Sequence, residues 1–69
     1  MLLKLISEVN IKFNKNFSAE EFSPVYNADN DGVDWINVWD TGLVIIRLSP
    51  SGKIGLIEAD FLTGKCTKI

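Results

Sequence analysis

The side chains with chemical potential in this 69-residue chain gather around one turn. Asn27, Asp29, Asp31 and Gly32 fall at the spacing of positions 1, 3, 5 and 6 of a calcium-binding loop, which needs oxygen ligands and a sharp glycine turn. Position 12 of such a loop is a bidentate glutamate, and here it is Val38. A strand, not a helix, is predicted to follow the turn, so no metal is assigned to it. Zinc chemistry is closed by composition, because such sites draw several ligands from cysteine and histidine. The chain has one cysteine and no histidine.

The same absence removes the commonest general base, so histidine-dependent catalytic triads cannot be built from this chain alone. No P-loop, G-x-G-x-x-G or H-E-x-x-H is present. Cys66 lies between Lys65 and Lys68, neighbours that favour a thiolate. No base or orienting group is close to it in sequence, and it reads as a small apolar filler of a terminal strand. Asp31, Asp34 and Asp40 could approach one another as paired carboxylates, yet a chain this short has little room for a water-excluding pocket. No catalytic residue and no cofactor are assigned, and the chain is expected not to be an enzyme.

Charge carries more information than any motif. The formal net charge of −2 conceals three zones. Lys4, Lys12 and Lys15 against Glu8 leave residues 1–15 at +2. From residue 16 to residue 46 there is no basic side chain, while Glu20, Glu21, Asp29, Asp31, Asp34 and Asp40 bring the stretch to −6. Arg47, Lys53, Lys65 and Lys68 against Glu58 and Asp60 return the remainder to +2. Acidic residues suit turns and helix starts in any protein, but a block of them also steers a basic partner. Trp35 and Trp39 stand inside this block; each is large enough to anchor a core or an interface, and one is expected in each task. Asp29, Asp31, Asp34, Trp35, Trp39 and Asp40 are therefore the candidate partner-binding residues.

The elements that must position them follow from periodicity. Residues 33–39 alternate, 43–48 form a nearly continuous apolar run, and strands at 53–59 and 65–69 complete a meander. Asp40-Thr41-Gly42, Ser49-Pro50-Ser51-Gly52 and Asp60–Gly64 supply the turns. Within 33–39, Val33, Trp35, Asn37 and Trp39 share one face and Asp34, Ile36, Val38 and Asp40 share the other. Phe17 to Phe22 carry a capping box at Ser18 and Glu21 and a staple pair at Phe17 and Phe22, which predict a short helix over about 19–24 that Pro24 ends.

Residues 2–13 fit two periods. As a strand, Leu3, Leu5, Val9, Ile11 and Phe13 share a face with Ser7, and Leu2 and Ile6 are exceptions on the other. As a helix, Leu2, Leu5, Ile6, Val9 and Phe13 form a stripe about 100° wide. The strand is preferred for its longer alternation and β-branched second half, with the helix as the alternative. The expected fold is α+β and β-dominated: one domain over residues 1–69, with an antiparallel four- to five-stranded meander or a small, partly open barrel.

The runs at 43–48 and 54–57 are apolar on both faces, so both faces of the sheet need cover. A barrel, a helix from residues 2–13, or a partner could provide it. A chain this size hides only about 60% of its unfolded surface. That burial supplies about 100 kcal/mol, close to the cost of about 1.5 kcal/mol per residue for ordering. With neither a disulfide nor a metal available, association is the expected supplement, and a homodimer is expected.

No run approaches the roughly 20 apolar residues of a membrane span, and Lys4 and Glu8 interrupt the only signal-like start. A cytoplasmic protein without membrane association is expected, in keeping with the unpaired cysteine. The favoured function is a small protein-binding module, an inhibitor of phage or mobile-element type that occludes a basic, nucleic-acid-binding site on a larger host protein through its acidic centre. The lysine- and asparagine-rich composition points the same way. The alternative is a small-barrel nucleic-acid-binding protein that uses the basic residues near the two termini, such as Lys4, Lys12, Arg47 and Lys53. Nucleic acid is the less favoured partner because phosphate neutralisation wants clustered cations.

Overall fold

A computed structural model describes residues 2–29 and 31–69, and Met1 and Asn30 lie outside the described residues. The chain runs α1 (Leu2–Phe13), a 3-10 turn (Ala19–Glu21), β1 (Ser23–Asn27), β2 (Gly32–Trp39), β3 (Gly42–Leu48), β4 (Ile54–Asp60) and β5 (Lys65–Lys68). The strands form one antiparallel sheet in chain order. This is the β-dominated α+β fold expected, as an open sheet and not a barrel.

Residues 2–13 form a helix, which corrects the strand preference. The two periods were nearly balanced locally, and packing decides between them. As a helix, Leu5, Ile6 and Val9 are buried and Leu2 and Phe13 pack beside them, so the two residues that broke the strand pattern join the stripe. Full burial of each aliphatic side chain stabilises by about 1.5–3 kcal/mol, against which the exposure of Leu3 and Ile11 is tolerated. The stop is local. Asn14 adopts a left-handed φ of 56°, and the Lys15 amide donates to the Asn10 carbonyl at 3.0 Å, the six-to-one bond of a Schellman cap. The Asn10 side chain then clamps the returning chain, accepting from the Phe17 amide at 2.9 Å and donating to its carbonyl at 3.0 Å.

The helix expected over about 19–24 is a single 3-10 turn. Ser18 makes no side-chain cap; its carbonyl accepts from the Glu21 amide instead, at 3.2 Å. The staple does form, with Phe17 and Phe22 edge to face at 5.6 Å between ring centres. Pro24 pushes Ser23 into extended geometry, and the chain enters β1, a strand the sequence reading had not separated from the helix and the turn after it. As an edge strand, β1 tolerates the missing amide of Pro24.

Cross-strand register sorts the sheet into two faces. Trp35, Ile46 and Leu56 stand opposite one another, as do Val33, Leu48 and Ile54. All but Val33 belong to or pack against the core beneath α1, where Ile46, Leu56 and Val9 are fully enclosed. The predicted turns at Asp40–Thr41, Ser49–Gly52 and Asp60–Gly64 all close hairpins.

Candidate partner-binding surface

The second face of the sheet is built by the intervening residues. Ile36, Ile45 and Ile57 form one cross-strand row, and Val38, Leu43 and Ala59 form the next. Val25 and Cys66 flank them on the outer strands. None of these side chains belongs to the core beneath α1, and among the described residues no element packs over them. Val38 is 61% exposed and Val25 48%, while the residues of the central strands are half-buried by their own neighbours. The whole chain exposes 4813 Å², about 500 Å² more than the roughly 4,300 Å² usual for a monomer of this mass.

One end of this face is polar and internally neutral. Asp34 lies opposite Arg47 in the register. The guanidinium grips both carboxylate oxygens, Nε to Oδ1 and Nη2 to Oδ2, each at 2.9 Å. Asn27 donates to Oδ2 at 3.3 Å. The Arg47 hydrogen bonds hold the Asp34 carboxyl below the usual aspartate range against the opposing effect of burial, and Asn27 adds to the lowering. The Asp34 hydrogen bonds raise Arg47 in turn.

The pair makes a pH-dependent prediction. A lowered carboxyl pKa contributes stability that is present above the ordinary aspartate value and lost as pH falls through the folded value. Arg47→Met leaves the buried Asp34 carboxylate with only Asn27. It is expected to cost about 1–2 kcal/mol at pH 7, below the roughly 3–5 kcal/mol of a broken fully buried pair because Arg47 itself is solvated. The gap between wild type and variant should shrink in urea melts at pH 3, and a gap independent of pH would remove this account.

The predicted binding residues do not form one cluster. Asp29 and Asp31 occupy the β1–β2 turn and Asp40 the β2–β3 turn, at opposite ends of an eight-residue strand about 25 Å long. The Asn27 side chain accepts from the Asp29 amide at 3.0 Å, and Asp31 accepts from the Tyr26 hydroxyl at 2.8 Å, so these oxygens serve the turn. The Asp31 hydrogen bond raises the Tyr26 phenol above its usual value. Trp35 packs against the core on the α1 side. Trp39 is 45% exposed at the sheet's end, with its indole N–H donating to the Thr41 hydroxyl at 3.1 Å. No group of three or more His, Cys, Asp or Glu side chains among the described residues is placed to hold a metal ion.

The chain matches no protein-family model, and no curated protein or solved structure matches it. No helix among the described residues is long and apolar enough to cross a membrane. The α1 side offers a cleft of about 360 Å³ between α1 and the sheet that includes Leu2, Leu5, Trp35, Leu48 and Ile54, with Lys4 and Glu8 also lining it.

What the sequence reading missed at this surface is the Asp34–Arg47 pair. Its signal was present: a two-residue turn at Asp40–Thr41 makes Trp39 and Gly42 partners, and counting back places Asp34 opposite Arg47. The acidic block in the sequence is therefore less acidic in space.

Proposed function

We propose that this chain is a small non-enzymatic protein-binding module whose working surface is the open sheet face centred on Ile36, Ile45 and Ile57. The observation that carries this reading is the size and chemistry of that face. It is aliphatic at the centre and polar at the rim, the anatomy of protein interfaces.

The acidic residues keep a part in this reading, as a rim and not as the centre. Asp29, Asp31 and Asp40 are exposed and lie on the β1–β2 side, where they would steer basic groups of a partner while the aliphatic face supplies affinity. An inhibitor of phage type that occludes a basic site is the finer form of this proposal, weakened at Asp34 by Arg47. The nucleic-acid alternative draws less support. Arg47 is engaged by Asp34, Lys15 is paired with Glu58 at 3.2 Å, and Arg47 is on the sheet face opposite α1 and its lysines.

A photoreactive benzophenone side chain placed at position 45 and activated in living cells tests the proposal. Covalent adducts with protein, this chain included, are expected there and not from the same group at Ser51 in an exposed turn. An absence of adducts at position 45, or equal adducts at both, would overturn it.

A further inference from the structure

We infer that the occupant of the open face is a second copy of this chain, packed face to face about a two-fold axis that runs along β3 near Ile45. The inference rests on the protein-binding reading above and names its partner. Three observations carry it.

The first is area. The sheet spans about 19 Å across five strands, and a seven-residue strand runs about 23 Å, so the footprint is about 450 Å². Two such faces meeting would bury about 900 Å² in total, just under the roughly 1,000 Å² of a stable specific interface and so the size of a weak one. A larger protein is not needed to cover a face of this size.

The second is the neutrality of the face. An isologous contact places each surface against its own image, so an unpaired charge near the axis would meet its like. The ionised side chains nearest the centre, Asp34 and Arg47, neutralise each other within one copy. Ile45 has aliphatic neighbours on three sides, Ile36 and Ile57 in its row and Leu43 along β3, and on the fourth Arg47, whose charge Asp34 neutralises.

The third is charge complementarity between the two sides of the sheet, and it selects the orientation. Beyond the Asp34–Arg47 pair, residues 23–41, which hold β1 and β2, carry Asp29, Asp31 and Asp40 and no basic group, while residues 42–69 carry Lys53, Lys65 and Lys68 against Glu58 and Asp60, a net charge of +1. Lys68 shares the open face with Ile57. A two-fold axis along β3 lays the β1–β2 side of one copy over the β4–β5 side of the other, acidic against basic twice. An axis across the strands would oppose acid to acid. The chain thus carries the basic surface that its own acidic side attracts.

Sedimentation equilibrium of the full chain tests this, with protein from roughly 1 µM to 1 mM. The wild type is expected to associate to a dimer with a dissociation constant on the order of 10–100 µM, the weak regime of small interfaces. Ile45→Asp and Ile45→Lys, each placing like charges together at the axis, are expected to weaken association at least about 100-fold. Their equimolar mixture should recover the dimer. Circular dichroism and tryptophan fluorescence, to which the core-packed Trp35 contributes, report whether each variant keeps its fold, since Ile45 points away from the core. Should either variant fail to fold, Lys68→Glu on the exposed edge strand takes its place, and a several-fold loss of association is expected. A wild type that stays monomeric throughout, or an Ile45→Asp variant that associates like the wild type, would overturn the second copy as the occupant. Adducts at position 45 with other proteins only, alongside a monomeric wild type, would leave the protein-binding reading standing without this partner. An absence of adducts would remove both.

Discussion

An Ile46→Ala variant is expected to lose about 3–4 kcal/mol of stability, while Ile45→Ala, one residue away on the same strand, loses less than about 1 kcal/mol in dilute solution. Ile46 is completely enclosed between Val9 of α1 and its sheet neighbours Trp35 and Leu56. Truncation there removes three carbons from a fully enclosed site and leaves a cavity in the core. Ile45 faces outward, and shortening it opens no cavity. For a chain of this length the total stability is only about 3–10 kcal/mol, so the first variant stands at the edge of folding. Urea denaturation at micromolar protein checks the contrast; equal losses at the two positions would mean that the sheet is not two-faced in the way described.

Gly42→Ala is expected to be nearly as damaging, although alanine adds a single methyl group. A Cβ at Gly42 would stand 2.5 Å from the Ala59 carbonyl oxygen and 3.1 Å from the Trp39 ring. The carbonyl is backbone, held in the β3–β4 ladder by the pairs Gly42–Asp60 and Leu43–Ala59, and cannot retreat without parting the strands. Overpacking of this kind costs about 1–3 kcal/mol, with the upper end expected here. That corresponds to a drop of roughly 12–20 °C in melting temperature for a domain of this size. Gly55 makes the internal comparison. It is also a strand glycine, but nothing lies within 4 Å of its would-be Cβ, so Gly55→Ala should be neutral or stabilising by a few tenths of a kcal/mol. Thermal melts showing the two alanines equivalent would contradict the close approach at Gly42.

These contrasts mark what could be read from the chain alone. β2 through β5 were legible because turn chemistry brackets each one, and Asp40-Thr41-Gly42 and Ser49-Pro50-Ser51-Gly52 leave few other places for the chain to reverse. Residues 2–13 were not, since Leu5, Val9 and Phe13 satisfy both periods and only the sheet beneath them decides. Asn14 just past the last apolar residue was the local signal for the helix, and it is the residue that takes the left-handed cap. The 19–24 segment falls short of the expected helix because Pro24 acts on the residue before it, ending the helix after one turn and starting β1. The two-sided apolar character of 43–48 was visible, and with it the need for a second cover. The distribution of charge over that surface was not, because it depends on which residues face each other across strands.

The order of elements along the chain bears on how the molecule comes together. Each strand pairs only with its neighbours in sequence, so the sheet can grow hairpin by hairpin, a route of short loop closures and fast steps. α1 is the exception. It is made before any strand, yet two of the fully enclosed residues of its core, Ile46 and Leu56, come from β3 and β4, and the Lys15–Glu58 pair near its end joins residues 43 positions apart. On the ribosome the stripe of Leu5, Ile6 and Val9 therefore waits in contact with solvent until β4 has emerged. The slow event in folding is expected to be the docking of this helix, and the nascent chain is at its most adhesive just before the last two hairpins close.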